Sequence, residues 1–219
     1  MFAVIEMMIM SITKLAESYI DYHPSVKDCL KKRVINYSQL SRRIIKDNSL
    51  KSSDFDAVLI AARRYFRKLS KFAAAEDKIT SLLSKSRLEI KNKVIVAVIN
   101  KHIFTDDLLE LERKIKKSRN LFYAIEGTDA ITIITAASFL GDVRNSFKSS
   151  IIKVWTELAL VVIASPEEIE DTPGVFSYLC SLLSDRGINV LETMSCWSES
   201  LFVVSEADIA RVMEALKFQ

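Results

Sequence analysis

"DTPGVFSYLCSLLSDRGINV", residues 171–190, is the stretch on which the reading of this chain turns. Pro173 and Gly174 lead into a run in which Phe176, Leu179 and Leu183 share one face at helical spacing, and Arg186-Gly187 closes it before a β-branched "INV". The spacing predicts a helix followed by a strand. Pro173 presets φ at the helix start, and Gly174 has no side chain to hold a ligand away from the backbone N–H groups at that positive end. A carboxylate would be welcome there. The same residues also suit an ordinary helix start and stop, and the stretch alone does not choose between the two uses.

Working outward, the neighbouring elements recur. "ELALVVIAS" (157–165) reads as a strand ahead of the helix; "INVLETMSCWSESLFVVS" (188–205) reads as two strands around a Ser-Glu-Ser turn, and "ADIARVMEALKF" (207–218) as a helix. Earlier come "NKVIVAVINK" (92–101), then "TDDLLELERKIKKSRNL" (105–121) with Leu108, Leu111 and Ile115 on one face behind a Thr105 cap, then two strands around Gly127 and the helix "AASFLGDVRNSFK" (136–148). Strand, helix, strand, strand, helix thus occurs twice at a period of roughly sixty residues, the mark of tandem copies of one unit.

The front of the chain is different. Residues 1–90 contain one proline, Pro24, and no glycine, so residues 11–85 read as wholly helical. Pro24 marks a break, after which Ser25 caps a short helix through Lys32. Ile35, Leu40, Ile44 and Ile45 share a face of the next helix, which ends near Asp47 and Asn48. "SSDFDAVLIAARRYFRKLSKF" (52–72) is the clearest helix, capped by Ser52 or Ser53 with Asp54 and Asp56 at its positive end. Its expected core face is Phe55, Val58, Leu59, Ala62, Phe66 and Leu69, and Arg63, Arg64, Arg67, Lys68 and Lys71 lie opposite. A short helix, a turn and a longer basic helix is the layout of a helix-turn-helix, in which this stripe and Arg42 and Arg43 would neutralise the phosphates of double-stranded DNA. The run Lys31, Lys32, Arg33 would extend that footprint. A solvated helix face has the same pattern.

Charge divides along the chain: 17 basic against 10 acidic residues in 1–90, 10 against 7 in 91–150, and 4 against 11 in 151–219. A basic front and an acidic back fit modules with different partners, or modules that complement each other. The 219 residues, 49% hydrophobic and 27% charged, are those of a folded protein. Cys29, Cys180 and Cys196 match neither a disulfide framework nor a zinc motif, and are read as reduced thiols in a cytoplasmic protein. His23 and His102 are isolated and the four glycines form no phosphate-cradling loop, so no catalysis, metal or cofactor is expected. "MFAVIEMMIM" (1–10) is too short to span a bilayer and lacks a cleavage site, so no membrane association is expected. It reads as a packed or frayed start, with Met8 or Met10 as alternative beginnings.

The second copy resembles the ACT domain, the βαββαβ amino-acid-sensing module of metabolic enzymes, and in particular the paired ACT domains of aspartate kinases. The residues that carry the resemblance are Asp171, Pro173, Gly174, Val175, then Gly187, Ile188, Asn189, Val190, then Phe202, Val203, Val204. With "VKDCLKKRVINYSQLSRRI" (26–44) and "DAVLIAARRYFRKL" (56–69), the whole chain resembles the archaeal predicted regulators of amino-acid metabolism. The first copy departs from the pattern, with "FTDDLLEL" (104–111) in place of the Pro-Gly turn. Ser195-Cys196-Trp197-Ser198 departs from the Ser-Glu of aspartate kinases, which leaves specificity open and Trp197 as either pocket wall or core.

The resemblance implies an α+β chain: a helical, helix-turn-helix-like domain at 1–85, a degenerate ACT-like repeat at 86–155 and an ACT domain at 156–219, both ferredoxin-like. It implies an amino acid or related small molecule at Asp171, Thr172, Pro173, Gly174 and Val175 together with Ile188 and Asn189, Asp171 and Asn189 receiving the ammonium. Residues 87–92 would complete the sheet of the second copy and 150–155 that of the first. Exposed edge strands predict a homodimer. The implied function is a non-enzymatic regulator that senses an amino acid and acts on DNA through its basic helices, or alternatively a regulatory subunit that docks on an enzyme or another protein.

Overall fold

In the computed structural model, residues 11–69, 74–101 and 105–218 are described. They fall into two compact units, divided in sequence between Lys78 and Ile79.

The first unit is built from helices whose starts are chemically explicit. In α1 (Ile12–Tyr22) the Ser11 hydroxyl accepts from the Lys14 N–H. α2 (Pro24–Lys31) has Pro24 at its first position, where a missing N–H costs nothing. Pro24 therefore begins a helix that was expected to start after it, and Ser25 lies inside the first turn. α3 (Tyr37–Asp47) is capped by the Asn36 amide oxygen, 3.1 Å from the Gln39 nitrogen. α4 (Phe55–Leu69) is entered through the 3-10 turn Ser52–Asp54, where the Asp54 carboxylate accepts from the Lys51 N–H at 3.1 Å. Asp54, not Ser52 or Ser53, fastens this start.

These helices bury Leu15, Ala16, Ile20, Leu30, Leu40 and Ile44 against Val58, Ala61, Ala62 and Tyr65 of α4. The buried stripe of α4 is thus 58, 61, 62, 65, turned away from the expected face: Phe55, Leu59 and Phe66 are half-buried, and Ile60 is exposed. Tyr65 reaches the core because its hydroxyl has a partner, donating to Asp21 Oδ1 at 2.6 Å.

The second unit begins within α5 (Ala74–Leu83), since Ile79, Leu82 and Leu83 belong to its core, ahead of the boundary expected at residue 86. The elements then run β1 (Arg87–Asn100), α6 (Thr105–Lys117), β2 (Phe122–Glu126), β3 (Ala130–Ala136), α7 (Leu140–Phe147), followed by β4 (Ile151–Ala164), α8 (Val175–Ser184), β5 (Glu192–Cys196), β6 (Glu199–Ser205) and α9 (Ile209–Ala215). Strand, helix, strand, strand, helix is present twice. The six strands form one antiparallel sheet in the order β2-β3-β1-β4-β6-β5.

β1 and β4, 14 residues each, cross from one half of this sheet to the other. The start of β1 pairs with the end of β4, Arg87 opposite Ala164 and Lys91 opposite Leu160. The end of β1 pairs with β3 and with the start of β4, Ile99 opposite Ile151. Each half therefore receives its fourth strand from the other: residues 87–91 complete the second, and 151–155 the first.

Both long strands are bulged at their midpoint. One extra residue separates Lys91 from Val94 relative to β4, and one separates Trp155 from Leu158 relative to β1. At these points Lys93 and Glu157 have φ of 54° and 58°, a left-handed conformation rare for side chains of this kind. The Glu206 carboxylate accepts the Lys93 N–H. A bulge shifts the alternation of faces by one. Leu88 and Ile90 face the helices before it, whereas Ile95, Ala97 and Ile99 do so after it.

One face of the sheet carries two helix-covered cores. Ile95, Ala97, Ile99, Ile131 and Ile133 pack under α6 and α7, while Ala159, Val161, Ile163, Phe202 and Val204 pack under α8, α9 and α5. On the other face Val94, Val96, Ile134, Leu158, Leu160, Val162, Leu201 and Val203 are buried in one cluster, to which no helix contributes among the described residues. Strands of both halves supply it. Among the described residues, no helix is long and apolar enough to cross a membrane.

Two outcomes test these contacts. Glu157→Gly should raise unfolding free energy by about 1 kcal/mol by relieving a left-handed residue, whereas Glu157→Val should lower it, as read from urea midpoints. In the first unit, burial and then the bond to Asp21 push Tyr65 up to about 12 from the ordinary 10.0. Its stabilisation is complete below pH 10 and is lost as pH rises toward 12, because the unfolded chain releases this proton first. Tyr65→Phe should cost about 1 kcal/mol at neutral pH, a deficit that narrows across that alkaline window.

Candidate functional site

The turn before α8 is assembled from its own backbone. After the 3-10 turn Glu167–Ile169, the Thr172 N–H donates to the Ile169 carbonyl at 3.2 Å, and the Thr172 hydroxyl to the Glu168 carbonyl at 2.6 Å. Thr172 is buried by this folding back. Pro173 and Gly174 follow outside the helix, which begins at Val175. Gly174 is the cap residue: its carbonyl accepts the Tyr178 N–H at 2.9 Å, and no side chain caps the first-turn N–H groups. The helix closes at Gly187, φ 66°, with the Ile188 N–H reaching back to the Leu183 carbonyl at 3.1 Å.

Gly174 has φ of 91°, not the negative value that a place in the first helical turn would give. The turn Thr172–Gly174 must reverse the chain from the 3-10 segment into α8, and this needs a left-handed residue there. Of the residues expected to touch a ligand, Asp171, Pro173, Gly174 and Asn189 are exposed. Val175 and Ile188 lie instead in the core beneath α8, where they hold the turn and the helix end in place. The open surface beside the turn is lined by Glu167, Glu168, Glu170 and Asp171. The sequence reading used Asp171 alone; "EEIED" (167–171) is the visible signal for the other three. Four carboxylates oppose a ligand anion at the helix start and favour a ligand cation beside it.

Trp197 is not core. It occupies the β5–β6 turn with φ of 47° and is 67% exposed, so the turn is Trp197-Ser198 rather than Ser-Glu-Ser. Burial pushes the Cys180 thiol up, away from the reactive thiolate form.

The second candidate surface is on the first unit. Arg42, Arg43, Arg63, Arg64, Arg67 and Lys68 are exposed, while Lys71 lies outside the described residues. Several are already engaged. Arg43 Nε is 2.7 Å from Asp47 Oδ2 and Lys68 Nζ 2.5 Å from Glu17 Oε1; the guanidinium groups of Arg42 and Arg63 lie over the rings of Phe55 and Tyr37.

No family model and no curated protein matches the sequence. Among solved structures, aspartate kinase from Clostridium acetobutylicum is similar at 14% identity and a TM-score of 0.49, over 59% of this chain and 33% of that one. This chain thus spans about a third of the length of that kinase. The regulatory subunit of aspartate kinase from Thermus thermophilus is similar at 9% identity and a TM-score of 0.47, over 59% and 92% of the two chains. A protein of unknown function from Vibrio cholerae is similar at 13% identity and a TM-score of 0.47, over 66% and 98%.

Gly174→Val should cost about 1–2 kcal/mol in urea unfolding, because a β-branched residue is forced into a left-handed turn. A midpoint equal to that of the parent would show that the turn re-forms with negative φ.

Proposed function

We propose that the chain is a non-enzymatic regulator of amino-acid metabolism in the cytoplasm, in which the sheet unit is a tandem ACT pair that binds an amino acid or related small molecule. The observation that carries this reading is the uncapped, glycine-started α8 with its "DTPGV" turn, set in a unit whose two copies complete each other's sheets. The ligand carboxylate is received by the first-turn N–H groups and the ammonium by Asp171 and its acidic neighbours, with Asn189 contributing from a second copy. The four carboxylates bias the site toward ligands without net negative charge. Homodimerisation through β2 and β5, the outer strands of the described sheet, belongs to the same reading.

The output is DNA bound by the helix-turn-helix-like first unit, whose residues 1–78 carry 15 basic against 9 acidic side chains. A specific observation favours a second output, docking on an enzyme or another protein: the pairing of Arg43 and Lys68 with carboxylates, and of Arg42 and Arg63 with rings, reduces what is offered to phosphates.

A thermal-shift series with the twenty amino acids tests the sensor, since a ligand that binds only the native state raises the melting temperature. Lysine and arginine should shift it more than aspartate and glutamate. A flat series at millimolar concentration removes the ligand reading. Retardation of double-stranded DNA at low salt that fades as salt rises supports the first output, and its absence leaves the second.

A further inference from the structure

We infer that α5 is a reporter helix for the turn before α8, so that the state of the candidate ligand loop is read by the segment that joins the two units. The inference rests on the reading of that turn as the ligand site, and names how the site is coupled to the rest of the chain.

α5 stands outside the repeat. The first half closes its core with two helices, α6 through Leu111 and Ile115 and α7 through Val143 and Phe147. The second half has the equivalent pair, α8 and α9, and α5 in addition. Among the described residues, the core of the first half has no third helix. Nevertheless Ile79, Leu82 and Leu83 of α5 are buried, at 6%, 6% and 0% exposure, in the same core as Val175 and Leu179 of α8. Their placement needs a reason beyond closing the sheet.

The point of contact supplies one. A Cβ placed on Gly174 would stand 3.6 Å from Ile79 Cδ1, so the α5 side chain rests against the cap residue of α8. The Gly174 carbonyl also makes the first hydrogen bond of α8, with the Tyr178 N–H. A ligand that draws the Thr172–Gly174 turn toward the helix start, or pushes it away, therefore changes what Ile79 packs against. α5 is continuous from Ala74 to Leu83, and the division between the units, Lys78 to Ile79, falls inside it. Any change at Ile79 is thus made within the covalent segment that leads to the first unit. Coupling of this kind is reciprocal: what the turn does to α5, α5 must do to the turn.

Hydrogen exchange on the full chain, without ligand, tests the coupling. Gly174→Ala should speed exchange of the amides of residues 79–83, and Ile79→Ala should speed exchange of the amides of residues 178–181, about 5-fold or more in each case. Leu111→Ala, a truncation in the core of the first half, should leave both segments at the parent rate. The inference is overturned if Gly174→Ala leaves 79–83 unchanged, or if Leu111→Ala speeds the two segments as much. Should Ile79→Ala unfold the unit, Ile79→Val makes the same comparison with a smaller factor. Because no ligand enters the measurement, the two readings fail separately. Coupled exchange with a flat amino-acid series removes the ligand, whereas a thermal shift with uncoupled exchange removes the reporter role alone.

Discussion

The second unit depends on two residues, Lys93 and Glu157, held in the left-handed region in the middle of long strands. Each costs about 1 kcal/mol relative to a glycine. In return each lets one long strand serve both halves of the sheet. The change of alternation lets β1 present Leu88 and Ile90 to one helix-covered core and Ile95, Ala97 and Ile99 to the other. On the other face Val94, Val96, Leu158 and Leu160 of the two long strands are buried in one cluster. The Lys93 bulge has an acceptor in Glu206, at the 3-10 turn that leads into α9, so the strand midpoint and that helix are positioned together.

At the turn before α8, geometry and charge pull a ligand in different directions. The uncapped first turn offers N–H groups and the positive end of a dipole to an anion, an effect worth up to about 1 kcal/mol at an exposed site. Glu167, Glu168, Glu170 and Asp171 place negative charge on the same surface. In the proposed reading the two demands are met together by a molecule that carries an anionic and a cationic group on one carbon, as an α-amino acid does. Simple anions meet only one of them.

Much of the second unit was legible because its signals are periodic. The element order and the repeat follow from alternating β-branched runs and from Leu111, Ile115, Leu179 and Leu183 at helical spacing, whereas the exchange of fourth strands was implied by the resemblance and not by periodicity. Left-handed positions were not legible. Three helix ends turn on Arg33, Ser49 and Arg119, with φ of 59°, 53° and 55°, where glycine would have announced the stop. Trp197 hides a hairpin turn in the same way, and Lys93 and Glu157 hide the bulges. Gly174 misled in the opposite sense, since proline-glycine before a helix suits both a negative and a positive φ, and only the chain reversal after Ile169 decides. In the first unit Tyr65 was not among the expected core residues, because its hydroxyl partner, Asp21, is 44 residues away in sequence.

The exchange of strands also sets an order of events during synthesis. The first half is chemically complete once residue 155 has left the ribosome, since its fourth strand is the start of β4. The start of β1 has no such early partner. Residues 87–91 wait for 160–164, and at typical elongation of 5–20 residues per second this leaves an unpaired strand for roughly 4–15 seconds. "RLEIKN" (87–92) carries Arg87, Glu89 and Lys91 on alternate positions, so the waiting strand is charged along one side. A nascent chain with that pattern is a poor template for pairing with its neighbours on the same message.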